Sequence, residues 1–124
     1  MIVATPKRFT IAEYHHLIEL SFLGDNERTE LIKGEIIEMA AKGKSHSTFN
    51  RRLIRELTQL IGNIATLQNQ DPILIAPNSE PEPDITIIRN RADDYLGNHP
   101  TPSDVLLLIE IADSSLKYDQ EVKL

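Results

Sequence analysis

Val105-Leu106-Leu107-Leu108-Ile109-Glu110-Ile111-Ala112 is the most apolar segment of the chain, and its reading decides the fold class. A run of this length suits a strand buried on both faces, as at the centre of a mixed α/β sheet. Working back from it, Ile85-Thr86-Ile87-Ile88 is a second short strand, approached through Pro81-Glu82-Pro83-Asp84. Ile73-Leu74-Ile75-Ala76, closed by Pro77, reads as a third. Upstream of these the period lengthens from two to that of a helix. Phe49, Leu53, Ile54, Leu57, Leu60, Ile61 and Ile64 recur at helical spacing, with Ser45 or Ser47 as the cap. Glu30 to Met39 holds two short apolar runs split by Lys33-Gly34, the signal of a hairpin. Before it, residues 10–20 predict an amphipathic helix, with Thr10 and Glu13 in capping-box spacing and a break at Gly24-Asp25-Asn26. The order helix, hairpin, helix and three strands predicts an α/β (α+β) domain: a mixed central sheet flanked by helices, and neither a bundle nor a sandwich.

The bulk numbers narrow the field. The 124 residues suit a single domain spanning 1–124. Absence of cysteine excludes disulfide scaffolds, thiolate metal sites and cysteine nucleophiles. No apolar run approaches the roughly 18 residues of a membrane span. The N-terminal residues lack the charged-then-apolar pattern of a secretory signal, so the expected location is cytoplasmic. A formal net charge of −6 counts against indiscriminate phosphate binding, but it leaves open an enzyme whose acids hold a metal ion.

Two acids stand out. Glu110 interrupts eight otherwise apolar residues, and an ionised carboxylate in such a strand is costly unless paired or bound to a metal. Taken alone it can equally be a strand-end acid paired with Lys117 or Arg91. Asp84 follows a proline that fixes its approach and immediately precedes an apolar strand. Alone, Pro83-Asp84 is a common turn dipeptide. Together the two acids open one strand and close another, and adjacent strands bring them close. Hard oxygen ligands of this kind suit Mg²⁺ or Mn²⁺, with water and a substrate phosphate completing the octahedron.

The ordered set Glu30-Leu31-Ile32-Lys33-Gly34-Glu35, His46 opening a helix, Pro83-Asp84 with its strand, and Leu108-Ile109-Glu110-Ile111 followed by Ser114-Ser115, Asp119 and Lys123 resembles the Uma-two family. These are restriction-endonuclease-like proteins of the PD-(D/E)xK nuclease superfamily, and the resemblance runs from about residue 9 to residue 124. It implies a restriction-endonuclease-like core and metal-dependent hydrolysis of DNA. Asp84 and Glu110 would be metal ligands, and Glu30 a further ligand or anchor of a metal-bound water. The superfamily's lysine normally stands two residues after the glutamate. Here that position is Ala112, so the resemblance points to Lys123 on the following segment, with Lys117 as the fallback.

Other residues carry weaker signals. His46 can touch substrate or a metal-bound water, but a histidine at a helix start is more often a cap or a surface residue. His15 and His16 read as helix-surface residues. Arg51, Arg52 and Arg55, with Lys42 and Lys44 before them, form either a phosphate track or a solvated helix face. Aromatic content of 5% leaves little for base stacking. The resemblance also implies chain beyond residue 124. The C-terminal part is therefore expected to be missing, which would leave the Val105–Ala112 strand with an open apolar flank that favours a homodimer. Two other functions stay open: a catalytically inactive binding or assembly module, and hydrolysis of a non-nucleic phosphate ester.

Overall fold

The computed structural model describes residues 3–24 and 28–111. Thr10 starts the first helix. Its hydroxyl accepts the Glu13 amide while the Glu13 carboxylate accepts the Thr10 amide, so two otherwise orphaned donors are satisfied at once. This helix, α1 (Ile11–Glu19), turns Tyr14 inward, where its hydroxyl bonds the Thr29 hydroxyl at 2.7 Å. The helix ends before the predicted break at Gly24, because Ser21 adopts a φ of 58° and the Phe22 amide folds back onto the Leu17 carbonyl.

The hairpin forms as the sequence predicts. Strands β1 (Thr29–Ile32) and β2 (Glu35–Glu38) pair antiparallel, with Ile32 opposite Glu35 around Lys33-Gly34. Both turn residues have positive φ, 50° and 83°, the requirement of the primed two-residue turn. Gly34 is needed twice over, since a Cβ there would lie 2.7 Å from the Arg8 Cβ. The long helix, α2 (Lys44–Ile61), begins earlier than Ser45 or Ser47 would set it. Its N-cap is Gly43, which has no side-chain cap bond, and Gly62 ends it short of Ile64.

The second sheet departs from the prediction in two places. Its strands are β3 (Thr66–Asn69), β4 (Ile85–Ile88) and β5 (Val105–Ile109), in the order β3-β4-β5. Residues 73–76 are no strand. The chain runs into a tight reversal at residues 76–78 around Pro77, closed by a bridge from Ile75 to Ser79, while Ile73 drops into the core. The true partner of β4 is the more polar Thr66–Asn69 segment. The α/β class stands, with helices and sheets in one chain, and among the described residues every strand pairing is antiparallel.

The second departure concerns β5. It was expected to be buried on both faces, yet Leu106, Leu107 and Leu108 are all exposed. Among the described residues β5 pairs with β4 alone and so forms the sheet's edge. The strand that is buried throughout is β4, whose four residues are all closed from solvent. Burying an isoleucine side chain is worth roughly 1.5–3 kcal/mol, so Ile85, Ile87 and Ile88 are the centre of the core. Leu31 joins them, held there by backbone bonds between it and Glu80. That bridge seats the hairpin against the segment leading into β4 and sets Glu30 beside Glu82.

Candidate functional site

The site is fixed by strand register. Ile85 on β4 faces Ile109 on β5, so Asp84 and Glu110 each stand one residue beyond that pair, at the same end of the sheet. They lie near enough for the charge of Asp84 to act on Glu110. The sequence reading of two acids brought together by adjacent strands is therefore met by the geometry. Glu30, on β1, is near enough to act on Glu110 electrostatically, while its own Oε2 accepts the Glu82 amide at 3.0 Å.

Asp84 is held on every side. Its Oδ1 accepts the His46 Nε2–H at 2.8 Å and the Lys42 ammonium at 3.3 Å, and its Oδ2 accepts the Ile111 amide at 2.8 Å. Burial works to raise its pKa, but the Ile111 amide, Lys42 and His46 outweigh burial and hold the carboxyl below the usual aspartate value. Glu110 moves the other way. Glu110 as a whole keeps an exposed face, but partial desolvation of its carboxyl, the charge of Asp84 and the charge of Glu30 push it up to about 7, with Lys42 opposing them. One acid of the pair is thus ionised throughout the neutral range, and the other is poised at its middle.

His46 is the residue the sequence reading undervalued. It is neither a cap nor a surface group: only 1% of its side chain is exposed, and that side chain clamps Asp84. A signal was present. Positions 46, 50, 53 and 57 form one helical stripe, so His46 and Asn50 continue towards the N-terminus the inward face on which Leu53 and Leu57 are half-buried. One helical turn beyond His46, the Asn50 Oδ1 is buried without a partner among the described residues, as is the Thr86 Oγ1 two residues beyond Asp84. Lys42, for which the sequence left a phosphate track and a solvated face equally open, instead reaches the Asp84 carboxylate. Lys44, Arg51, Arg52 and Arg55 are exposed on the outer face of α2. Arg91, one suggested partner of Glu110, pairs with Asp93. Lys117 and Lys123 lie outside the described residues.

The donor set can be tested against the divalent cation that the sequence implies. Among the described residues no three His, Cys, Asp or Glu side chains form a ready-made cage. Mg²⁺ needs no such cage: it is usually held by one or two carboxylates and fills its octahedron with water and substrate oxygens. Two adjacent carboxylates, with a third acid close by and a lysine already neutralising them, are chemically suited to that mode of binding. No helix among the described residues is long and apolar enough to cross a membrane.

The family model described as "Uma2: Putative restriction endonuclease" fits residues 11–124. No curated protein and no solved structure matches the chain.

Proposed function

The chain belongs to the Uma2 family, and from that membership we propose that it is a metal-dependent endonuclease hydrolysing phosphodiester bonds of DNA. One observation supports this most strongly. Asp84 and Glu110 flank the paired residues Ile85 and Ile109, so neighbouring strands bring two carboxylates to one end of the sheet, an arrangement that favours a cation between them. Asp84 and Glu110 would hold Mg²⁺ or Mn²⁺, with Glu30 as a further ligand or the anchor of a metal-bound water. When bound, such an ion lowers the pKa of its water and polarises the phosphoryl oxygens.

The chain's own residues have separate tasks. His46 keeps the Asp84 carboxylate in one orientation through its Nε2–H, as outer partners of metal-site ligands do. Glu110 remains available to ionise near neutral pH. Lys123, by resemblance, would orient the attacking water and counter charge on the phosphate. Lys44, Arg51 and Arg55 share one stripe of α2 at spacings of seven and four, and with the neighbouring Arg52 they offer DNA phosphates a basic face leading away from the carboxylates.

Nicking of supercoiled plasmid in the presence of Mg²⁺ or Mn²⁺ tests the proposal. Asp84→Ala and Glu110→Ala proteins with unchanged circular dichroism should each lose at least about 100-fold, beyond the 10–100-fold typical of outer-sphere residues. Equal residual cleavage in both variants would assign the activity to a contaminant. A second reading, an inactive binding or assembly module, draws on the fact that both Asp84 oxygens already have partners within the chain. It expects no heat of Mn²⁺ binding and no cleavage by the unaltered protein.

A further inference from the structure

Two donors share the Asp84 Oδ1, and they differ in kind. His46 sits in the first turns of α2, is closed from solvent and makes a bond of 2.8 Å. Lys42 lies in the loop before the helix, has a quarter of its side chain exposed and makes a longer contact of 3.3 Å. Charge-assisted N–H···O bonds normally run about 2.7–2.9 Å, so the lysine is the looser of the two. Its stem has four rotatable carbons and its ammonium is a strongly hydrated point charge, so leaving the carboxylate costs little. The histidine cannot leave without opening the helix packing. Lys42 also acts on Glu110, where its charge opposes that of Asp84 and Glu30. The ammonium therefore serves both carboxylates from a position that water can reach.

We propose that Lys42 is a tethered counter-cation of the Asp84–Glu110 pair, neutralising it in the metal-free protein and yielding its place at Asp84 Oδ1 to an incoming divalent cation. The inference rests on the metal-site reading above and deepens it. His46 fixes the ligand, Lys42 keeps the empty site electrostatically satisfied, and the competition between ammonium and metal sets the cation concentration at which the site fills. A displaced ammonium stays on the solvent side of the carboxylates, where a phosphate oxygen is its natural next partner.

Calorimetric titration with Mn²⁺ alone, in the absence of nucleic acid, tests the inference. Removing the competitor in Lys42→Met should tighten Mn²⁺ binding by roughly 2- to 5-fold, the scale of an ion pair at a partly exposed site. Lys42→Arg, which keeps the charge, should stay near the unaltered protein. Lys44→Met is the control for mere loss of positive charge and should shift the affinity less than Lys42→Met does. If Lys42→Met melts early, Lys42→Gln is read in its place. Binding to the unaltered protein with no tightening in Lys42→Met, or with equal tightening in Lys44→Met, overturns the counter-cation and leaves the metal site standing. Absence of any Mn²⁺ binding to the unaltered protein overturns both.

Discussion

β4 and β5 lie side by side and each contributes one acid to the site, but they hold those acids in opposite ways. β4 is buried along its whole length, and the Asp84 that precedes it is locked by three donors and kept ionised. β5 is richer in leucine yet forms the edge among the described residues, and the carboxyl of the Glu110 that follows it is raised to about 7 by desolvation and by the charges of Asp84 and Glu30. Burial with partners lowers a carboxyl pKa, and burial against other acids raises it. Desolvation acts on both acids, and the neighbours, donors at Asp84 and carboxylates at Glu110, decide the direction in which each finally moves.

The largest expected effect separates the two strands by stability. Ile85→Ala, at a position with no exposed surface, should cost about 2–5 kcal/mol in denaturant unfolding, whereas Leu107→Ala on β5 should cost under about 1 kcal/mol. Equal losses would mean that β5 is covered as thoroughly as β4 and would break the comparison. Next in size is the clamp on Asp84. His46→Ala should weaken Mn²⁺ binding roughly 10- to 100-fold, while His46→Gln, which can still donate to Oδ1, should recover part of it. A loss of the same size in both would reduce His46 to a packing residue.

A smaller effect sharpens the difference between the acids. The folded-state pKa of Glu110, about 7, lies above its ordinary value of 4.5, so the folded protein binds the extra proton between those limits. Its contribution to stability is full at low pH and is lost as pH rises towards 7. In metal-free buffer the melting temperature should therefore drift down by a few degrees between pH 5 and 7.5. Glu110→Gln, which cannot ionise, should flatten that part of the profile. An unchanged slope in the variant would place the titration elsewhere.

How much of this was legible in the sequence depends on whether the controlling interaction is local. The capping box at Thr10, the Lys33-Gly34 turn and the helical stripe of α2 depend on residues within a few positions of one another, and all three formed. Asp84 and Glu110 were legible because a charged residue bounding an apolar strand is an anomaly in one dimension. The failures are non-local. Residues 73–76 are apolar enough for a strand, but flanking prolines and the bond from Ile75 to Ser79 turn them back, and the polar Thr66–Asn69 segment takes the place beside β4. The exposure of β5 depends on what pairs with it, which its composition does not encode. His46 and Lys42 gain their roles only through Asp84, some forty residues away, and no local spacing announces such a contact.

The most direct test of the account is anomalous diffraction from crystals soaked in Mn²⁺ at a pH above the Glu110 value. It should give one peak between the Asp84 and Glu110 carboxylates, at oxygen distances of about 2.0–2.2 Å, with His46 still bonded to Asp84 and Lys42 displaced. Crystals that show no peak there, with Lys42 and His46 both still on Asp84 Oδ1, would contradict it.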